Sequence, residues 1–281
     1  MRSYIRLSAA LFALAAPLCQ AAAQKPGRDI ALDFRMSTVT TGAVGNEVVT
    51  GRVIATNDRA RLDMKRDGGG VRAAPLPGNG DVSMIVTDGG KTLTYIDAAN
   101  RTYMRMRPAE MIADVQKMGG LTMQFSGTVA TVDNLGAGPS ILGHPTAHYL
   151  VTTGMTIAMN AMGQQQTVQI SSKTDYYYAT DISSSLNPFA AMSGTDMGLM
   201  FGGTNRDFAD KMRAAQAKLP KAIPLRTTTD ATITTDGRTR VTKTQTEVTA
   251  IKWITADPKS FLLPAGYKAL TTPGAPGPDG R

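Results

Sequence analysis

The sequence predicts a mainly β protein: a single curved antiparallel sheet of roughly ten or eleven strands, forming a half-open barrel with two short helices. Three observations lead there. Apolar and polar residues alternate with period two over most of the chain. Turn signals such as Asn57-Asp58, Asn100-Arg101 and Asp236-Gly237 recur between the alternating runs. Helical spacing of apolar residues occurs only in two short stretches. A sheet this wide does not stay flat, so it is expected to curl around something.

The first residues, MRSYIRLSAALFALAAPLCQAAAQ, place Arg2 and Arg6 before an apolar run from Leu7 to Leu18 and a small-residue tract at Ala21–Ala23. This reads as a secretory signal peptide over residues 1–23, cleaved after Ala23, with an apolar core too short to anchor the chain in a membrane. Cys19 is the only cysteine, and Ala16 and Leu18 occupy the places where a lipidation site wants Leu and a small residue. Cys19 therefore leaves with the signal. The exported chain is expected to be soluble and to rely on its core rather than on disulfides. About 258 residues remain, with one domain expected over 24–270 and a Pro/Gly-rich, disordered tail over 271–281.

The formal charge of +8 falls by two when Arg2 and Arg6 are removed, and no block of like charges remains. Such a surface is solvated and mildly basic. Nucleic acid is not expected as a partner of an exported chain, and the surface is compatible with peripheral contact with anionic lipid headgroups.

The elements follow in order. Ile30, Leu32, Phe34 and Met36 alternate with Ala31, Asp33, Arg35 and Ser37, a strand with one apolar face. Val49, Gly51, Val53 and Ala55 make a second strand, and Ala60, Leu62 and Met64 a third. A Gly/Pro-rich loop spans Asp67 to Asp81. The hairpin Val82–Ile96 then turns at Asp88-Gly89-Gly90-Lys91, and Thr102–Met106 continues the meander. A first short helix is expected from Pro108 to Met118, stopped by Gly119-Gly120. Strand character returns at Leu121, Met123, Phe125 and Val129. Two long strands follow, marked by Tyr149, Val151, Met155, Ile157 and Met159 and by Val168, Ile170, Tyr176 and Tyr178. A second helix runs from about Asn205 to Lys218, with Phe208, Met212, Ala215 and Leu219 along one side. The last hairpin, Leu225–Thr235 and Arg238–Ile254, is crowded with threonine and turns at Asp236-Gly237.

Several motifs suggest chemistry and fail on context. Gly90-Lys91-Thr92 ends like a phosphate-binding loop, but Ile85 stands where the leading Gly belongs and a strand follows instead of a helix. His144 and His148 have the spacing of two zinc ligands on a helix, yet Pro145 and the following strand remove the helix, and residues four apart on a strand lie about 13 Å apart. No cysteine and no nearby carboxylate complete a metal site. No Gly-x-Ser-x-Gly is present, and Asp175, Asp181 and Glu247 lie on strands that sequence alone does not pair. No catalytic residue, metal ligand or cofactor is assigned, and the chain is not expected to be an enzyme.

The 16 methionines raise a softer alternative. Met155, Met159 and Met162, with Met192, Met197 and Met200, offer thioethers suited to Cu(I). Methionine also fills irregular apolar cavities. The segment Pro188–Gly203 carries one charge, Asp196, among apolar residues and four glycines. It either packs down as core or forms a movable lid over an apolar cavity.

Four stretches carry a resemblance: ARLDMK (Ala60–Lys65), MIVTDGGKTLTYIDAANRTYMRM (Met84–Met106), ILGHPTAHYLV (Ile141–Val151) and FLLPAGYK (Phe261–Lys268). Through them the chain resembles a family of exported bacterial proteins, a domain of unknown function, that is similar to the LolA/LppX-type lipoprotein carriers. The resemblance covers most of the mature chain and rests on strand-and-turn patterns. It implies a half-open antiparallel barrel wrapped over helices, with an apolar concave face able to hold acyl chains.

The expected function is thus that of a non-enzymatic periplasmic or secreted binding protein sheltering a lipid or lipoprotein acyl chain. Wall candidates are Leu32, Phe34, Met36, Val151, Met155, Ile157 and Met159, and lid candidates are Met192, Met197 and Met200. The alternatives are the Cu(I) binder and a packed barrel without a ligand, whose Thr-rich hairpin Leu225–Ile254 meets a protein or glycan by edge pairing.

Overall fold

The structure, a computed structural model, describes residues 29–41, 46–67, 81–107, 121–161, 164–182 and 206–270. The expected signal peptide, Gly/Pro loop, first helix, Met162-Gly163 turn, segment 188–203 and tail all lie outside these residues.

The described chain is dominated by strands. These are β1 (Asp29–Thr40), β2 (Glu47–Ala55), β3 (Ala60–Asp67), β4 (Val82–Thr87), β5 (Thr92–Asp97), β6 (Thr102–Met106), β7 (Leu121–Ile141), β8 (His144–Ala161), β9 (Gln164–Ala179), β10 (Pro224–Thr235), β11 (Arg238–Ile254) and β12 (Lys268–Ala269). Helix α1 spans Arg206–Gln216, and short 3-10 turns form at Asp88–Gly90 and Pro258–Phe261. All twelve strands join one sheet in the order β12-β6-β5-β4-β3-β2-β1-β11-β10-β9-β8-β7. The sheet does not close, since its two ends are β12 and β7.

The hairpins follow from local chemistry. Asp236 and Gly237 both take positive φ, 49° and 76°, which matches the right-handed twist of the strands they join. The Gly-Lys-Thr stretch is a turn, as its context indicates. Gly89 has φ 62°, and the Asp88 carboxylate accepts a 2.9 Å hydrogen bond from the Thr92 hydroxyl.

Register aligns the apolar faces. Leu32 lies opposite Val53, Val53 opposite Leu62, Leu62 opposite Met84 and Met84 opposite Tyr95, so one row crosses five strands. Ile30, Ile223, Leu225 and Val53 are fully buried at the centre of this core. Two bulges bend the sheet around it. The β1–β11 register slips between Asp33 and Phe34, and the β9–β10 register slips between Pro224 and Arg226. A bulge adds a residue to one strand of a pair and increases local twist.

Strands β4 and β5 are buried on both faces, which is why Met84-Ile85-Val86 is continuous rather than alternating. Their outer face is covered by the C-terminal segment, where Phe261 packs on Ile85 and Ile96. Asp257 caps the turn that delivers Phe261, its Oδ1 accepting from the Lys259 N–H at 2.9 Å. Arg61 fastens the same segment by donating to the Ser260 carbonyl at 3.2 Å. The chain then adds β12 in parallel to β6 and covers that edge. The opposite edge, β7, is long but interrupted by three register shifts, which makes it a poor template for further pairing.

The Thr-rich hairpin is not at an edge. Strand β11 pairs with β1 and β10 with β9, so both arms spend their backbone groups inside the sheet. This corrects the idea that residues 225–254 recruit a partner by edge pairing.

Candidate ligand cavity

Helix α1 lies across the concave face. Its sequence places Phe208, Met212 and Ala215 on one side, and both Phe208 and Ala215 are buried. Asp207, Lys211 and Thr128 tie the helix to strand β7. The Thr128 hydroxyl donates to Asp207 Oδ2 at 2.6 Å, and Lys211 Nζ donates to the same oxygen at 2.8 Å and to the Thr128 carbonyl at 3.1 Å. Thr128 follows Gly127, whose φ of 59° belongs to a bulge in β7. Hydrogen bonding from Lys211, then from Thr128, holds the Asp207 carboxyl below its ordinary pKa.

Between α1 and the sheet lies a cavity of about 450 Å³. Its apolar wall comes from Leu32, Phe34 and Met36 on β1, Val53 on β2, and Leu62 and Met64 on β3. Val132, Val151, Tyr176 and Tyr178 from β7, β8 and β9 form the far wall. Met212, Ala215 and Leu219 close the top, while Ile223, Leu225 and Val248 extend the floor. Among the described residues, none that lines the cavity carries a charge.

Phe34 reaches inward because its neighbour across the strand is Gly51. A Cβ at Gly51 would sit 2.3 Å from the Phe34 ring, so the glycine makes the room that the ring occupies. Aromatic rings also shape the far wall. Tyr176 stacks on Tyr178 with centroids 5.4 Å apart, and Tyr149 meets Tyr178 edge-on at 6.0 Å. Burial raises the pKa of both Tyr176 and Tyr178, and for Tyr178 the neighbouring phenols add to the rise.

Of the residues expected from sequence, Leu32, Phe34, Met36 and Val151 line this cavity. Met155 and Ile157 lie on the same face but are not among its lining residues. They pair with Ile170 and Val168, about 13 Å or more further along β8 than Val151. Met159 continues their line, opposite Met123 and Gln166 in the backbone register. Met192, Met197 and Met200 lie outside the described residues, as does Met162. The lining contributed by Val53, Leu62, Met64, Val132 and Val248 was not singled out from sequence. Alternation marks each as apolar, and only the strand order brings them together.

The two histidines acquire partners that sequence did not supply. His148 Nε2 lies 2.7 Å from Asp175 Oδ1, and His144 Nδ1 lies 2.9 Å from Asp181 Oδ2. This corrects the expectation that no carboxylate stands near them. The His148 ring stacks on Tyr177 at 4.4 Å, the Arg226 guanidinium lies 5.8 Å from the centroid of the Tyr177 ring, and Arg226 donates to Glu247 at 3.2 Å. Asp175 and Tyr177 are one position out of phase with the lining residues Tyr176 and Tyr178, Glu247 with Val248, and Arg226 with Leu225 and Thr227, so these four sit on the other face of the sheet. Among the described residues, no group of three His, Cys, Asp or Glu side chains could hold a metal ion. No helix among them is long and apolar enough to cross a membrane.

The fold and cavity define an open, internally lined β-sheet with a helix laid over its concave side. No family model and no curated protein matches the chain. Solved structures similar to it include two of bacterial origin. One is an outer membrane lipoprotein-sorting protein domain from Vibrio parahaemolyticus, at 8% identity and TM-score 0.29, covering 83% of this chain and 88% of that one. The other is a DUF1329 family protein from Desulfovibrio piger, at 8% identity and TM-score 0.24, covering 84% and 90%. Both are distant likenesses.

Proposed function

We propose that this chain is an exported, non-enzymatic binding protein that shelters a hydrophobic ligand, a lipid or the acyl part of a lipoprotein, between the concave sheet face and α1. The observation that carries this reading is the cavity: its volume falls in the range of small-molecule sites, about 300–1,000 Å³, and the described residues that line it are uncharged. Apolar burial at about 25 cal/mol per Å² would drive binding. Leu32, Phe34, Met36 and Val151 act as wall residues, and Met155, Ile157 and Met159 extend the same face toward the rim. Residues 1–23 direct export, which places the mature chain in the periplasm or outside the cell.

Native mass spectrometry of the mature protein, purified from a periplasmic extract without detergent, tests the proposal. A reproducible added mass that solvent extraction identifies as a lipid is the expected result. A bare mass that stays bare when lipids are offered would mean that the cavity is not a binding site.

A further inference from the structure

The hydroxyl groups on the concave face fall into two sets. Toward the rim they satisfy one another: Thr38 with Thr244 at 3.3 Å, Thr40 with Thr242 at 3.3 Å, Thr174 with Thr229 at 3.1 Å, and Thr153 with Ser172 at 2.8 Å. A wall whose hydroxyls are already paired asks nothing of whatever covers it.

One row further in, the pairing stops. Thr246, Thr227 and Tyr176 lie side by side on β11, β10 and β9 and all line the cavity, with Tyr178 next along β9. Their side-chain oxygens have no hydrogen-bond partner among the described residues. No side-chain polar atom there is both sealed off and unpaired, so these hydroxyls open onto accessible space. An apolar ligand pressed against them would leave their donors and acceptors unmet, at a cost that a ligand oxygen removes.

Resting on the binding reading above, we infer that the row Thr246–Thr227–Tyr176 recognises an uncharged oxygen-bearing group, the carbonyl of an acyl ester or amide, and that the cavity discriminates acylated molecules from plain hydrocarbon and from ionised fatty acid. The phenol and threonine hydroxyls donate to the carbonyl oxygen while the chain lies on Leu32, Phe34 and Met36. Among the described residues, no lysine or arginine lines the cavity to balance a carboxylate, and burying an unpaired ion is far more costly than burying an ester.

The test is displacement of the apolar dye N-phenyl-1-naphthylamine by methyl dodecanoate, dodecane and, at alkaline pH, ionised dodecanoate. It compares the mature protein with the isosteric variants Tyr176→Phe and Thr227→Val and their combination. One neutral hydrogen bond changes an affinity by roughly two- to tenfold. The ester-to-alkane affinity ratio is expected to fall by about that factor in the double variant, with alkane binding changed less than about twofold and ionised dodecanoate the weakest competitor throughout. An unchanged ratio, or a carboxylate that competes as well as the ester, would overturn the inference and leave the binding function intact. Failure of the dye and of every competitor to bind the unmodified protein would sink both.

Discussion

Tyr176 stacks on Tyr178 at an interplanar angle of 15°, and the two rings form the far wall of the cavity opposite Phe34 and Met36. Residues two apart on one strand share a face, so the pair also marks which side of β9 is the inside.

This pair has a consequence for pH. Burial raises the pKa of Tyr176 and, more strongly, of Tyr178 above the ordinary value of 10.0. A raised acid prefers its neutral form in the folded protein. The stability it contributes is therefore present in full below pH 10 and is lost as pH rises through the folded value. Ultraviolet titration of phenolate is expected to show a late step in the folded protein that denaturant removes and Tyr178→Phe eliminates. Simple titration of every tyrosine near 10 in the folded state would show that the far wall is wet.

Gly51 makes a second prediction. Its Cβ would meet Phe34 Cζ at 2.3 Å and the Asp63 carbonyl at 2.9 Å, and a carbonyl in the ladder cannot retreat as a side chain does. Gly51→Ala is expected to destabilise the protein by about 1–3 kcal/mol, in the range of overpacked cores. Chemical denaturation reads that loss directly. A companion Phe34→Leu change should recover part of it by freeing space, and no recovery would mean that the backbone contact alone sets the cost.

The Asp207–Lys211–Thr128 tie predicts how α1 is held. Asp207 is exposed, and its pKa is lowered from 3.8, chiefly by the hydrogen bond from Lys211. A depressed carboxyl contributes above its unfolded value and loses that contribution as pH falls through the folded one. Carboxyl NMR titration is expected to give Asp207 a midpoint below 3.8 that returns upward in Lys211→Met. The same variant should speed amide exchange in α1 at neutral pH, while exchange in β1 and β11 stays unchanged. Equal acceleration in those strands would show that the tie supports the whole sheet rather than the helix.

Much of the architecture was legible from alternation and turns. Asp236-Gly237 specified a tight hairpin because both residues tolerate positive φ, and the run Phe208, Met212, Ala215 specified the inner side of α1 because those positions are one helical turn apart. The strand count came out slightly higher than expected because β12 is only two residues long, too short to show any period. Of the two helices expected, one lies within the described residues and the other, 108–118, lies outside them.

By itself, the sequence determined which residues are strands, where they turn and which of their faces is apolar, since those properties depend on neighbours a few residues away. Only the tertiary structure decided that β1 meets β11, more than two hundred positions later in the chain. That pairing sets Phe34 and Met36 beside Val248 and Thr246 and places Tyr176 across from them, with α1 laid over the gap. It also separated Val151, which lines the cavity, from Met155 and Ile157, which sequence could not distinguish from it. Period two names a face, while the place of a residue along that face depends on register, bulges and what packs on top.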